Sequence, residues 1–379
     1  MKIATPVSPD TRATQIPFRA LSRRLRATLC ALLLSVCIAT PVFSQVDQKT
    51  RPAPDFGEGD VWLDQGAPVP HHISDYRGKV VLVDFWEYTC INCIRDFGVI
   101  KRWYTKYHQY GFDVIGVHYG EFAIGFDPDN VRMAAQKYHL PWAVVADQKG
   151  SAWKAYDSKG WPDRFLIDPQ GNIVMSVFGE GNNQVMETRI RELLALAHPE
   201  VLKIPLDPDE DEFRQECGVT TQETYVGELY GRGSVDDMGD HHSGETVDFQ
   251  PPHSPPDGGV MLVGRWRVDH DGVTSQQQGA GAEVRYHARS LYAVMNPSGV
   301  KQVRVDLYQD GNPMPKEGAG PDVKFDDKGA YIEVNEARMY YLVRSPNFTA
   351  HLIALLPEGP GLSLHSFTYG NNCQLADQP

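Results

Sequence analysis

At 379 residues, 41% of them hydrophobic and 22% charged, the chain has the composition of an ordinary globular protein and length for two domains. Its net charge of −13 argues against nucleic acid and anionic membrane surfaces as partners, since both repel a negative protein.

Residues 1–44 read as an export signal. Arg19, Arg23, Arg24 and Arg26 form a basic region, Ala27 to Val42 is apolar, and Val42-Phe43-Ser44 offers a cleavage site. The apolar run is interrupted by Pro41 and is short for a membrane span, so cleavage is expected over a retained anchor. The segment holds six of the 36 lysines and arginines and one of the 49 acids. Its removal leaves 30 basic against 48 acidic residues, a net charge near −18. The expected location is the periplasm or another extracytoplasmic space, where disulfides persist. Four cysteines remain there: Cys90, Cys93, Cys217 and Cys373.

Residues 45–55 are polar with two prolines and are expected to be a flexible lead. From 56 to 198 strands and helices alternate, which predicts an α/β domain. Strands are expected at 80–85, 112–118, 142–146, 165–167 and 172–177. Helices are expected at 94–110, 127–138, 151–156 and 183–196. Asp127-Pro128-Asp129 carries the signals of a helix start, a capping residue followed by proline in the first turn. Asp168-Pro169-Gln170-Gly171 is a turn sequence between two strands. Residues 199–222 are expected to be an acidic linker, with Asp207 to Glu212 as a solvated spacer. Beyond it, short alternating strands between Gly, Pro and Asn turns, among them 282–288, 291–295, 339–343 and 351–355, predict an all-β sandwich over 223–379.

The chemistry concentrates in Trp86-Glu87-Tyr88-Thr89-Cys90-Ile91-Asn92-Cys93. Cys90 falls where a strand gives way to a helix, so the helix dipole and unpaired N–H groups favour its thiolate. Cys93 lies one turn further on, within reach of the first sulfur, which points to thiol–disulfide exchange. Zinc binding would need a second ligand pair, and no second CxxC exists. No metal and no cofactor is expected.

Two further residues complete the expected site. Trp161-Pro162 directly precedes a strand, where a cis proline would turn the backbone toward the sulfurs and meet a substrate strand. Asp84 lies six residues before Cys90 on an otherwise apolar strand. Burial would raise its pKa and let it exchange a proton with Cys93. Glu87 is a second relay candidate, or a charge that tunes the thiols.

Asp84-Phe85-Trp86, Cys90-Ile91-Asn92-Cys93 and Trp161-Pro162 together resemble the thioredoxin superfamily. The Asp75-Tyr76-Arg77-Gly78-Lys79 lead and the segment from Glu121 to Ala146 are similar to its TlpA-like, or redoxin, branch. Tyr88 to Cys93, Val114 to His118, Phe178 to Gly181 and Glu223 to Gly227 resemble the DipZ proteins most closely. The resemblance implies a thioredoxin-like domain followed by a carbohydrate-binding-like β-domain. It implies Cys90 as nucleophile, Cys93 as resolving thiol, and Pro162 with Trp161 as the hold on substrate backbone. Protein disulfides would be the substrates, with reduction the favoured direction. DipZ proteins typically carry a multi-span membrane domain that passes electrons outward, and this sequence shows no such segment. The resemblance therefore implies an external electron donor, such as a membrane thiol transporter.

Two other functions are compatible with parts of the chain. A thiol peroxidase usually needs a single cysteine preceded by threonine at a spacing that Thr89-Cys90 lacks. A binding module would use the β-domain for glycan or protein, with Trp266, Tyr286, Tyr292, Tyr340 and Tyr341 available to stack on sugar unless they are core. Cys217 and Cys373 bracket the β-domain and are expected to staple its ends, worth about 2–5 kcal/mol. His241, His242 and His253 with Asp236 and Asp237 are expected to form a solvated loop, not a metal site.

Overall fold

A computed structural model describes residues 45–47, 50–63, 70–208, 219–228, 240–250 and 254–370. The expected signal segment, Cys217, Cys373, His253, Asp236 and Asp237 lie outside the described residues.

The first domain is built on β1 (Gln45–Asp47), β2 (Arg51–Pro52), β3 (Val61–Leu63), β4 (Val80–Trp86), β5 (Phe112–His118), β6 (Ala143–Ala146), β7 (Asp163–Ile167) and β8 (Asn172–Phe178). These form one sheet in the order β1-β8-β7-β4-β5-β6-β3, with β2 also on β8. β4 lies near the centre, parallel to β5 and antiparallel to β7. All seven residues of β4 are buried, as expected of a strand covered on both faces.

Side chains alternate across the strand. Val80, Leu82 and Trp86 meet α1 (Ile91–Tyr107), α2 (Pro128–Lys137) and α4 (Asn183–Ala195) in one core. Val81, Val83 and Phe85 meet α3 (Ser151–Tyr156) in another. The same alternation turns Asp84 toward the α1 side. Asp127 caps α2 by accepting from the Asp129 N–H at 2.9 Å, with Pro128 at the first helical position.

Two expectations fail at the edges of this domain. The lead is not a loose tether: β1 and β2 both pair with β8, and Asp55 accepts N–H groups from Phe56 and Ile73. An edge strand with unpaired backbone is a ready template for such additions. Asp207 is not part of a solvated spacer either. Its carboxylate meets Lys106 at 2.6 Å and Arg102 at 3.1 Å, and its N–H donates to Glu187.

The second domain contains β9 (Thr224–Tyr225), β10 (Thr246–Phe249), β11 (Val260–Val268), β12 (Val273–Ser275), β13 (Gly281–Pro297), β14 (Val303–Gln309), β15 (Asn312–Pro313), β16 (Lys324–Asp326), β17 (Gly329–Val334), β18 (Arg338–Pro357) and β19 (Leu362–Gly370). The all-β character agrees with expectation. The eleven strands belong to one sheet that folds back on itself, because β11 pairs with both β12 and β13. β13 and β18 run the length of this sheet, and each joins two segments expected as separate strands. Register shifts near Ala288 to Tyr292 bend the pair. A bulge of this kind interrupts strict alternation without ending the strand.

Candidate active site at the head of the first helix

Cys90 occupies the N-cap of α1, and the Cys93 N–H points at its sulfur with N···Sγ 3.4 Å. The preceding turn is closed by Cys90 N–H donating to the Glu87 carbonyl at 3.2 Å. Cys90 is partly exposed, whereas Cys93 is fully buried, and the two thiols are not bonded to each other. Burial, then the Cys90 sulfur, and in smaller part Asp84 push the Cys93 thiol well above its ordinary range. The two cysteines therefore differ in access, as attacking and resolving groups must. Opposite them the Trp161–Pro162 peptide is cis, and the Trp161 carbonyl stands 3.8 Å from Cys90 Sγ.

Behind Cys93 lies a buried charge cluster. Asp84 is 1% exposed, and burial, reinforced by Asp96 and opposed by Arg164, raises its pKa to about 7. Its Oδ1 is enclosed and accepts no hydrogen bond among the described residues. Arg164 sits across the β4–β7 ladder from Asp84, and its guanidinium lies 3.4 Å from Asp96. It also donates to Asn183 at 2.9 Å and to the carbonyls of Gly179 and Gly181. Sequence reading missed Asp96 and Arg164. The available signals were position: Asp96 is three residues after Cys93 on one helical face, and Arg164 is a charge in an apolar strand two residues after Pro162.

Glu87 is fully buried. Its Oε2 accepts from both the N–H and the hydroxyl of Thr89, and its Oε1 is 3.5 Å from Nε2 of buried His118. That imidazole nitrogen also accepts the Tyr88 N–H at 3.3 Å. Glu87 thus shapes the turn that delivers Cys90, and the Glu87 backbone N–H favours a charged Cys93.

The β-domain reaches this site. Tyr292, Tyr341 and Met339 pack on Ile91, the residue after Cys90. Tyr225 donates to Glu121 at 2.8 Å, and the Ala123 N–H donates to Asp271. Trp266, Tyr286, Tyr292, Tyr340 and Tyr341 are all buried, so none presents a face to a sugar. No group of three potential metal ligands occurs among the described residues.

A model of the AhpC/TSA family matches residues 50–176, and a model of a thioredoxin like C-terminal domain matches residues 221–370. The first match agrees with a helix-capping cysteine pair that follows central strand β4 and faces Trp161–Pro162 just before β7. The first domain is a thioredoxin-like AhpC/TSA domain. Protein DipZ of Mycobacterium bovis is 32% identical over 323 residues, covering 84% of this chain and 43% of that protein. The chain therefore spans under half the length of the DipZ relatives it matches. The thiol-disulfide oxidoreductase ResA of Geobacillus thermodenitrificans is 27% identical over 158 residues, 41% of this chain and 88% of that one. Among solved structures, a thioredoxin-family thiol:disulfide interchange protein from Chlorobium tepidum TLS is 19% identical with TM-score 0.33. It covers 39% of this chain and 99% of that one. Among the described residues of this thioredoxin-like protein, no helix is long and apolar enough to cross a membrane.

Proposed function

We propose that the chain is a thiol–disulfide oxidoreductase that reduces protein disulfides in an extracytoplasmic compartment. The observation that carries this reading is the unequal pair at the head of α1: partly exposed Cys90, and buried Cys93 backed by Asp84. Cys90 attacks one substrate sulfur as a thiolate. The substrate S–S bond breaks, a Cys90–substrate disulfide forms, and the second substrate sulfur leaves and takes up a proton. Cys93 then gives its proton to Asp84 and attacks Cys90 Sγ, which releases the first substrate sulfur and closes the Cys90–Cys93 disulfide. Two electrons pass from the dithiol to the substrate. An external dithiol donor restores the pair.

Asp84 suits the relay because its carboxyl titrates at about 7, where it can both take and return a proton. Pro162 and Trp161 would hold substrate backbone across the sulfurs. Glu87 serves as a positioning residue, since its carboxylate is committed to Thr89. The test is turnover of an oxidised protein such as insulin by the full chain with dithiothreitol as donor. Cys90→Ser is expected to abolish it, and activity retained by that variant would end the proposal.

A further inference from the structure

Three aromatic rings stand together, one of them on Trp161, whose carbonyl faces Cys90. Trp153 of α3 lies 4.8 Å from Trp161 and 4.9 Å from Tyr119, centroid to centroid. Tyr119 and Trp161 are 6.3 Å apart, and the interplanar angles within the trio run from 23° to 37°. They come from three separate elements: the turn after β5, α3, and the residue before Pro162. Each is partly exposed, whereas Phe85, Tyr156 and Phe165 just beneath are buried. The trio is also a shaped feature. Tyr119 lies over Gly150, where a Cβ would meet its ring at 3.0 Å, and Gly150 holds a φ of +67°. A side chain there would displace the ring.

Three partly exposed rings in mutual contact, one of them on the residue whose carbonyl faces the nucleophile, form a surface continuous with the exchange site. An extended chain advances about 3.3 Å per residue. Ring centres 4.8 and 6.3 Å from the Trp161 ring therefore span about two residues of an extended chain. The carboxylate of Asp147 at the head of α3 is already committed, because it accepts the N–H groups of Ser151 and Trp153 at 2.7 and 2.8 Å. It is not aimed outward at hydroxyl groups, as recognition of a sugar would need.

We propose that Tyr119, Trp153 and Trp161 form a docking shelf for an aromatic side chain of the substrate polypeptide, one or two residues from its reactive cysteine. The inference rests on the exchange reading for its placement but makes its own claim about sequence preference. A stacked aromatic pair with the area it buries is worth about tenfold in affinity.

The test uses two peptides that differ only in Phe or Ser two positions after a cysteine. Binding of their S-methylated forms to the full-length Cys90→Ser protein requires no exchange. The Phe peptide is expected to bind about tenfold tighter, and equal affinities would overturn the shelf whether or not the protein is a reductase. With the oxidised peptides and unaltered cysteines, the Phe:Ser ratio of kcat/KM should fall from about ten to about two in Trp153→Leu, through KM. Tyr119→Leu should act in the same direction and stands in if Trp153→Leu fails to fold by circular dichroism. A ratio unchanged in the folded variant would overturn the proposal. So would loss of the preference on adding maltohexaose, which would assign the rings to glycan.

Discussion

Two carboxylate clusters flank the CxxC turn, and they are built differently. Asp84 and Asp96 share a fully buried space with Arg164. Glu121, at the junction with the β-domain, is only partly buried, and the described partners there are hydroxyls: Tyr225 on Glu121 and Thr368 on Glu223. Burial raises both leading acids, Asp84 to about 7 and Glu121 to about 8, but Asp84 is held down by the guanidinium while Glu121 is pushed up by Glu223 and Glu87. The two acids reach the neutral range by different routes, Asp84 under full burial opposed by a fixed cation and Glu121 under lighter burial reinforced by neighbouring acids. Glu121, bonded to Tyr225 of the β-domain, couples domain contact to its own protonation.

Removing the cation should break the comparison most. Arg164→Met leaves buried acids without compensation and should cost about 3–5 kcal/mol, read by denaturant unfolding at pH 7. A loss below about 1 kcal/mol would mean the guanidinium does not hold the cluster together.

Asp84→Asn addresses the relay. The wild-type rate of mixed-disulfide resolution should rise through about pH 7 as Asp84 ionises. In the Asn variant it should be about 100-fold slower and flat across that range. Stability moves the other way. Asp84 has a folded pKa above its unfolded value, so its contribution is full below about pH 4 and is lost as pH rises through about 7. Asp84→Asn should therefore gain on the order of 2 kcal/mol at pH 8, and an unchanged unfolding curve there would argue against a strained carboxylate.

Glu121→Gln should act in the same sense but less. Its contribution is lost as pH rises through about 8, so the variant should gain about 1 kcal/mol at pH 9, discounted for partial exposure. Hydrogen exchange in residues 119–126 would report it as slower opening at that pH. Thr89→Val, which deletes a hydroxyl donated to Glu87, should cost about 1 kcal/mol in stability and change exchange rates less than threefold.

Much of this was legible in the sequence because it is local. A run of strand formers, a cysteine pair and a helical stretch follow one another directly, and period-two alternation turns Asp84 toward the helix that carries Cys93. Arg164 and Asp96 were not legible, since their meaning depends on β7 lying beside β4 and on α1 lying over both. Glu87 read as a relay or a charge tuning the thiols because its neighbours Thr89 and His118 could not be seen closing on it. The long strands β13 and β18 were split at their bends, where alternation breaks while pairing continues. The aromatics of the β-domain left sugar stacking open in sequence, and only packing showed them to be core.

The central claim is the division of labour between the two thiols. Mass spectrometry of the full-length Cys93→Ser protein incubated with an oxidised peptide tests it most directly. The account predicts one peptide per chain, disulfide-linked at Cys90 and released by dithiothreitol, with Cys90→Ser forming no adduct. Peptide captured on Cys93 of the Cys90→Ser protein at a comparable rate would contradict it.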